Sequence, residues 1–119
     1  MVVRKALLLT ALILLLFVFI SGCTSESFGD VTYDNDTGLK LTVINNGNPR
    51  DVTLQVTVFD LSNFRQVEIE RIARQVYLKN GENVFTIKAD LERGQYKLYL
   101  YVLEDGKRNA AEIRDINVL

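Results

Sequence analysis

The stretch Val52-Thr53-Leu54-Gln55-Val56-Thr57-Val58 decides the fold class of this 119-residue chain. Aliphatic and polar residues alternate along it without a break, so the four aliphatic side chains lie on one face of an extended strand. Val and Thr also favour strands, because their branched side chains pack well on a pleated surface. The stretch therefore predicts a β-strand with one buried face.

The same alternation continues along most of the chain on both sides of this strand. Turn residues separate the alternating segments at Asn45-Asn46-Gly47-Asn48-Pro49, at Asn80-Gly81 and at Glu104-Asp105-Gly106. Asn-Gly and Asp-Gly pairs adopt positive φ at low cost, and Pro cannot donate to a sheet ladder. The residues expected on buried faces are Leu39, Leu41, Val43, Phe85, Ile87, Ala89, Leu91, Tyr96, Leu98, Leu100 and Val102.

The last predicted strand changes phase near its middle. Ala111 and Ile113 fit the buried face with the period of two. Ile116 and Val118 fit the same face only if the strand bulges at Arg114-Asp115. We therefore expect an edge strand with a bulge at that dipeptide.

The segment over residues 65–79 fits two patterns. Its apolar residues alternate with polar ones at both ends, which predicts two short strands around a bend. A helical stripe is the alternative, formed by Ile69, Ile72, Ala73 and Val76 with Asn63 as its N-cap. We favour strands, because every flanking segment is β and the segment ends in the hairpin signal Asn80-Gly81.

Seven short, evenly spaced strands in about 90 residues predict an all-β fold, a single antiparallel β-sandwich. The chain has no Trp and only one Cys, so it lacks the disulfide and tryptophan of immunoglobulin domains. A sandwich of the fibronectin type III-like or a related bacterial and archaeal surface branch is therefore favoured. Tyr96, in Gly94-Gln95-Tyr96, stands where a corner tyrosine would hydrogen-bond back across the preceding connection.

The stretch from Gly94 to Arg108, GQYKLYLYVLEDGKR, resembles the immunoglobulin-like domains of archaeal surface lipoproteins. It carries Gly-x-Tyr, an alternating strand and a Glu-Asp-Gly turn. The resemblance extends over residues 60–117. This stretch is also similar to the adhesion-type domains found beside larger extracellular modules. It implies an immunoglobulin-like or fibronectin type III-like fold and a cell-surface location, and it transfers no catalytic residues.

The N-terminus has the parts of an export signal. Arg4 and Lys5 precede an apolar stretch over residues 6–20, which is shorter than the about 20 residues that a membrane-spanning helix needs. Ile20-Ser21-Gly22-Cys23 resembles a prokaryotic lipobox, which implies cleavage between Gly22 and Cys23 and a lipid on Cys23. A buried thiol behind an uncleaved leader is the alternative.

The sequence thus divides into a signal peptide (1–22), a lipidated tether (23–29) and a sandwich domain (30–119). Two of the 14 basic residues leave with the signal peptide, so 12 remain against 15 acidic ones, a formal charge of −3. Such a surface gives no electrostatic footprint for nucleic acid. We expect a lipid anchor on the extracytoplasmic face of the cell membrane, a surface protein or glycan as partner, and no small-molecule substrate.

The chain offers few residues for chemistry. It contains no His, the commonest general base and metal ligand, and it has no Gly-rich phosphate loop. We therefore expect no enzyme activity, no catalytic residues, no cofactor and no metal.

The stretch Asp34-Asn35-Asp36-Thr37-Gly38 has acidic residues at alternate positions, as calcium loops do. Ca²⁺ needs six or more oxygens with a bidentate carboxylate downstream. The spacing provides no such carboxylate, so we favour a plain Asx turn. Asn35-Asp36-Thr37 is also an N-x-T acceptor, which makes Asn35 a candidate glycosylation site.

Three aromatic residues, Phe59, Tyr99 and Tyr101, alternate against the core positions and are expected on an outer sheet face. Outward aromatic side chains can bind a partner, or they can pair across strands and stabilise the sheet. The sequence therefore predicts a non-catalytic interaction module for a protein or glycan. The alternatives are a structural envelope spacer and a small accessory subunit of a surface assembly that binds by strand addition.

Overall fold

The computed structural model describes residues 25–119. They form β1 (Glu26–Asp34), β2 (Gly38–Asn45), β3 (Arg50–Asp60), β4 (Val67–Leu78), β5 (Gly81–Ile87), β6 (Gly94–Glu104) and β7 (Lys107–Val118), with a 3-10 turn at Ser62–Phe64. A three-stranded sheet has the order β1-β2-β5 and a four-stranded sheet the order β4-β3-β6-β7, all pairings being antiparallel. The predicted all-β class with seven strands is confirmed.

The predictions for the leader concern residues outside this range. The signal helix over residues 1–22 and the sites Gly22 and Cys23 lie outside the described residues. Among residues 25–119, no helix has the length and apolar character needed to cross a bilayer.

The core lies between the two sheets and has β3 at its centre. Its alternating aliphatic residues are buried as predicted, at no more than 3% exposure each. Directly opposed residues of an antiparallel pair share a face, and the β3 residues lie opposite core residues of β6 in the pairs Leu54–Val102, Val56–Leu100 and Val58–Leu98. The residues of β2 and β5 cover this layer from the other sheet.

The ambiguous segment is a strand, but it is one continuous strand. β4 pairs with β3 along its whole length and bends at a bulge, where Val58 lies opposite Glu70 and Phe59 lies opposite Glu68. The expectation of two short strands was therefore wrong. The Asn80-Gly81 turn does not form a hairpin either, because β4 and β5 belong to different sheets.

The first strand begins before the predicted start of the sandwich domain at residue 30. β1 starts at Glu26, so residues 26–29 belong to the sheet and not to the predicted tether. Glu26 and Phe28 are buried, and Glu26 lies opposite Asn45 of β2. The polar composition of this segment predicted a tether. Glu26 is nevertheless buried in the strand, because Arg50 contacts its carboxylate and compensates its charge.

The predicted phase of β7 was also wrong. The bulge in the β6–β7 pair lies at Asn109, since Val102 faces Ala110 and Leu103 faces Arg108. Ile113 consequently points outward and is 55% exposed. Arg114 takes the inner face instead, where Nη1 donates to the Gly29 carbonyl (3.0 Å) and Nη2 to the Phe28 carbonyl (3.2 Å). These carbonyls lie at the bulge of β1.

The two ends of the sandwich have different contents. One end holds Ser25 and the turns between β2 and β3, β4 and β5, and β6 and β7. Asn80 Nδ2 joins two of these turns by donating to the Gly47 carbonyl (2.9 Å). The opposite end holds the β1–β2, β3–β4 and β5–β6 connections and Leu119. We call these the N-terminal and C-terminal ends.

The predicted corner tyrosine is confirmed. Tyr96 is 4% exposed, and its hydroxyl donates to the Glu92 carbonyl at 2.6 Å. A second tyrosine, Tyr33 of β1, also reaches the β5–β6 connection: its hydroxyl accepts from the Leu91 amide at 2.9 Å. Both contacts fix this long connection over the C-terminal end of the core.

Candidate functional site

The three predicted surface aromatics lie on the outer face of the four-stranded sheet. Phe59 belongs to β3, and Tyr99 and Tyr101 belong to the adjacent β6. Buried core residues flank Tyr99 and Tyr101 on both sides, and the core residue Val58 precedes Phe59, so the period of two directs these rings outward. All three are half-buried, because each ring lies against the sheet and its neighbours.

Phe59 and Tyr99 form a contact pair. Their ring centroids are 4.8 Å apart with an interplanar angle of 53°, which is a tilted geometry within the range that aromatic pairs prefer. Gln66 lies in the connection between β3 and β4, and its Nε2 donates to the Tyr99 hydroxyl at 3.1 Å. The pair therefore presents ring faces and a fixed hydroxyl at the surface.

Tyr101 belongs to a separate arrangement. The guanidinium carbon of Arg108 lies 4.4 Å from the centroid of its ring, in cation–π geometry. Arg108 comes from the start of β7, next to the Asn109 bulge. The structure therefore brings Phe59 and Tyr99 together, whereas an arginine covers Tyr101.

Ile113 extends the apolar part of this face. It lies directly opposite Tyr99 in the β6–β7 pair, and Thr57 lies opposite Tyr99 on the β3 side. The sequence pattern placed Ile113 on the buried face because the period of two pairs it with Ala111. We define the aromatic face as Phe59, Tyr99 and Ile113: two aromatic rings and an exposed aliphatic side chain.

A second feature, a cleft of about 480 Å³, opens at the N-terminal end of the sandwich. Arg50 crosses it and contacts Glu26, and Arg50 Nε donates to Glu104 Oε2 at 2.8 Å. Asn109 Nδ2 donates to the same oxygen at 2.7 Å. These two hydrogen bonds hold the pKa of Glu104 below its ordinary value. The charges in the cleft thus bind one another and join β1, β3 and β6.

Buried asparagines support the same end, and turn propensity is the only signal for them in the sequence. Asn45 is fully buried and its Oδ1 accepts from the Gly47 amide at 2.9 Å. Asn83 Oδ1 accepts from the Lys79 amide at 2.9 Å, and its Nδ2 donates to the Lys79 carbonyl. The side chains of Asn45 and Asn83 thus form hydrogen bonds with main-chain groups in the turns that have no partner in the sheets.

Asn35 lies exposed in the β1–β2 turn at the C-terminal end. The Asp36 amide donates to Asp34 Oδ1 at 2.9 Å, which is the Asx turn that the sequence predicts. Residues 25–119 contain no cluster of three or more acidic, His or Cys side chains with the spacing of a metal site.

The comparisons with known proteins identify no family for this chain. No protein-family model matches it, and no curated protein matches it either.

Proposed function

We propose that this chain is an exported, lipid-anchored, non-catalytic module that binds a surface protein or a glycan through the aromatic face. The lipobox-like Ile20-Ser21-Gly22-Cys23 supports export and anchoring at Cys23. The exposed Ile113 beside the Phe59–Tyr99 pair is the observation that carries the binding proposal. Aromatic residues are enriched at the cores of protein interfaces, where they bury large areas with few rotatable bonds.

The proposal includes a fibronectin type III-like fold. Two features support it: three strands in the order β1-β2-β5 pack on four in the order β4-β3-β6-β7, and a corner tyrosine opens β6. Sandwiches of this kind commonly serve as recognition modules on cell surfaces, and function resides in the surface that they present.

The anchor and the aromatic face are consistent in geometry. Ser25 lies two residues after Cys23 and already belongs to the ordered domain, since its carbonyl accepts from the Asn46 amide at 2.7 Å. A lipid on Cys23 would hold the N-terminal end close to the bilayer. The aromatic face lies on the side of the sandwich, so a partner in the same envelope would reach it laterally.

The first test concerns the anchor. Intact-mass analysis of the protein from its native membranes should give a chain that begins at Cys23 and carries added lipid mass. Cys23→Ser should remove that mass and move the protein out of the membrane fraction or leave it uncleaved. An unmodified Cys23 in full-length protein from the cytosol would contradict the proposal.

The second test concerns the face. Tyr99→Ala should abolish recovery of a partner from native membranes while the domain stays folded at room temperature. Val84→Ala is the matched control, because Val84 is 52% exposed on the outer face of the other sheet. Partner recovery that survives Tyr99→Ala would assign binding to another surface.

A structural spacer is the second candidate function. The Phe59–Tyr99 ring contact and the Arg108 guanidinium over Tyr101 favour it, because both contacts also stabilise the sheet without any ligand. If wild-type protein recovers no partner, and the Tyr99→Ala variant differs only in its melting temperature, the spacer function is preferred.

A further inference from the structure

The edge of the four-stranded sheet at β4 is the most accessible strand edge in the described chain. Within residues 25–119, β4 pairs only with β3, and it contains twelve residues with neither Gly nor Pro. Val67, Ile69 and Tyr77 on this strand are each about half exposed. A long edge strand with exposed apolar residues is a template for pairing with another strand.

The other three edges are shielded or short. β1 contains a bulge, and Arg114 from β7 occupies the carbonyls beside it, so β1 and β7 cover each other at one open side of the sandwich. β5 has only seven residues, and Arg74 Nη1 donates to its Thr86 carbonyl at 3.2 Å. β4 remains as the long edge.

The inner face of β4 has unusual charges for a strand that borders a core. Glu70, Ile72 and Arg74 lie opposite the core residues Val58, Val56 and Leu54 of β3, so all three share the core face at the rim of the sandwich. Inward charges normally oppose edge pairing, because a partner strand would leave them unsatisfied. A partner strand that supplies the opposite charges removes this penalty.

We propose that a second copy of this chain supplies that strand, and that two β4 edges pair antiparallel about Ile72. In this register Glu70 of each copy lies opposite Arg74 of the other, and the two Ile72 side chains face each other. Two-fold symmetry makes both ion pairs form at once. The result is one continuous eight-stranded sheet across two sandwiches.

The neighbouring registers are unfavourable. Centring the pair on Arg71 places Arg71 opposite its own copy, and centring it on Arg74 does the same for Arg74. Centring it on Ala73 places Glu70 opposite Val76. Like charges directly opposite each other are destabilising, and the Ala73 register leaves both inner-face charges, Glu70 and Arg74, without the opposite charge. The charges thus select the Ile72 register, and the bulge at Ile69 ends the regular edge beyond it.

Charge reversal tests this register on full-length protein in detergent, with oligomeric state measured by sedimentation velocity. The wild type should be a dimer, and Glu70→Arg alone or Arg74→Glu alone should be a monomer, because each creates two repulsive pairs. An equimolar mixture of the two variants should give a heterodimer, since both opposing pairs become complementary again. The double variant Glu70→Arg/Arg74→Glu should also dimerise.

The matched control is Glu82→Arg, which reverses an exposed charge on β5, the edge strand of the other sheet, and should leave the dimer unchanged. Circular dichroism of each variant checks that monomers are folded. A monomeric wild type, a mixture that remains monomeric, or a dimer that Glu82→Arg dissociates would each overturn the proposal. These outcomes are independent of the lipid anchor and of the aromatic face.

Discussion

The hydroxyl of Tyr96 donates a 2.6 Å hydrogen bond to the main-chain carbonyl of Glu92, four residues earlier in the chain. The bond joins the start of β6 to the β5–β6 connection, which crosses from the three-stranded sheet to the four-stranded sheet. Burial, followed by the negative charges of Asp60 and Glu92, raises the pKa of this phenol above its ordinary value. The raised pKa favours the neutral hydroxyl, which is the form that donates this hydrogen bond.

Tyr96→Phe should destabilise the domain while preserving its fold. Phe fills the same core space, so the lost hydrogen bond accounts for the change, about 1 kcal/mol. For a domain of this size that corresponds to a fall in melting temperature of roughly 4–8 °C. Tyr77→Phe is the control, because Tyr77 is 55% exposed. Equal melting temperatures for the wild type and Tyr96→Phe would show that the corner bond adds no stability.

The direction in which the Ile113 side chain of β7 points gives a second prediction. Leu100→Ala should cost about 2–5 kcal/mol, because Leu100 is fully buried between β3 and β7. Ile113→Ala should change the unfolding free energy by no more than about 0.5 kcal/mol, since its side chain is exposed. Urea unfolding followed by circular dichroism measures both. A loss at Ile113 comparable with that at Leu100 would restore the phase predicted from the sequence.

The sequence predicted the central strands better than the edge strands. β3 and β6 lie in the middle of their sheet with one face on the core, so hydrophobic burial imposes the period of two directly. The outward direction of Phe59, Tyr99 and Tyr101 followed from the same pattern. These predictions were correct because a single physical effect decides them.

The edge strands were harder to predict, because backbone satisfaction competes there with burial. Arg114 occupies an inner position since its guanidinium binds two carbonyls of β1, and this moves Ile113 outward. Glu26 is buried in β1 because Arg50 contacts it. Neither long-range partner can be recognised in a single sequence, since each pair joins residues far apart in the chain.

Substitutions at two glycines with positive φ distinguish the cost of backbone strain from the cost of a steric clash. Gly38 and Gly81 have φ of 97° and 99°. A Cβ at Gly38 would collide with the Ile87 carbonyl, whereas one at Gly81 would meet nothing within 4 Å. Gly81→Ala should cost only the left-handed backbone penalty, about 1–2 kcal/mol. Gly38→Ala should cost clearly more, measured by urea unfolding. Equal costs would contradict the close approach at Gly38.

The cleft at the N-terminal end predicts an acid-sensitive contribution to stability. Hydrogen bonds from Arg50 and Asn109 lower the pKa of Glu104 in the folded protein below the ordinary value of 4.5. A lowered folded-state pKa gives stability that is present above the unfolded-state pKa and disappears as pH falls through the folded-state pKa. Wild type should therefore exceed Glu104→Gln in melting temperature near neutral pH, and the difference should shrink below the ordinary Glu pKa.

Asp90→Asn is the control for this experiment, because Asp90 lies exposed in the β5–β6 connection. It should track the wild type over the same pH range. A melting-temperature difference between wild type and Glu104→Gln that does not change with pH would show that the Arg50–Glu104 contact contributes no charge-dependent stability.

Site-specific photo-crosslinking on intact cells tests the central claim that the aromatic face binds a partner. A photoreactive phenylalanine at Ile113, 55% exposed, should give an adduct of discrete mass, and Tyr99→Ala in the same chain should abolish it. The same probe at Val84, 52% exposed on the opposite sheet, should give none. Equal adducts at both positions, or none at Ile113, would contradict the account.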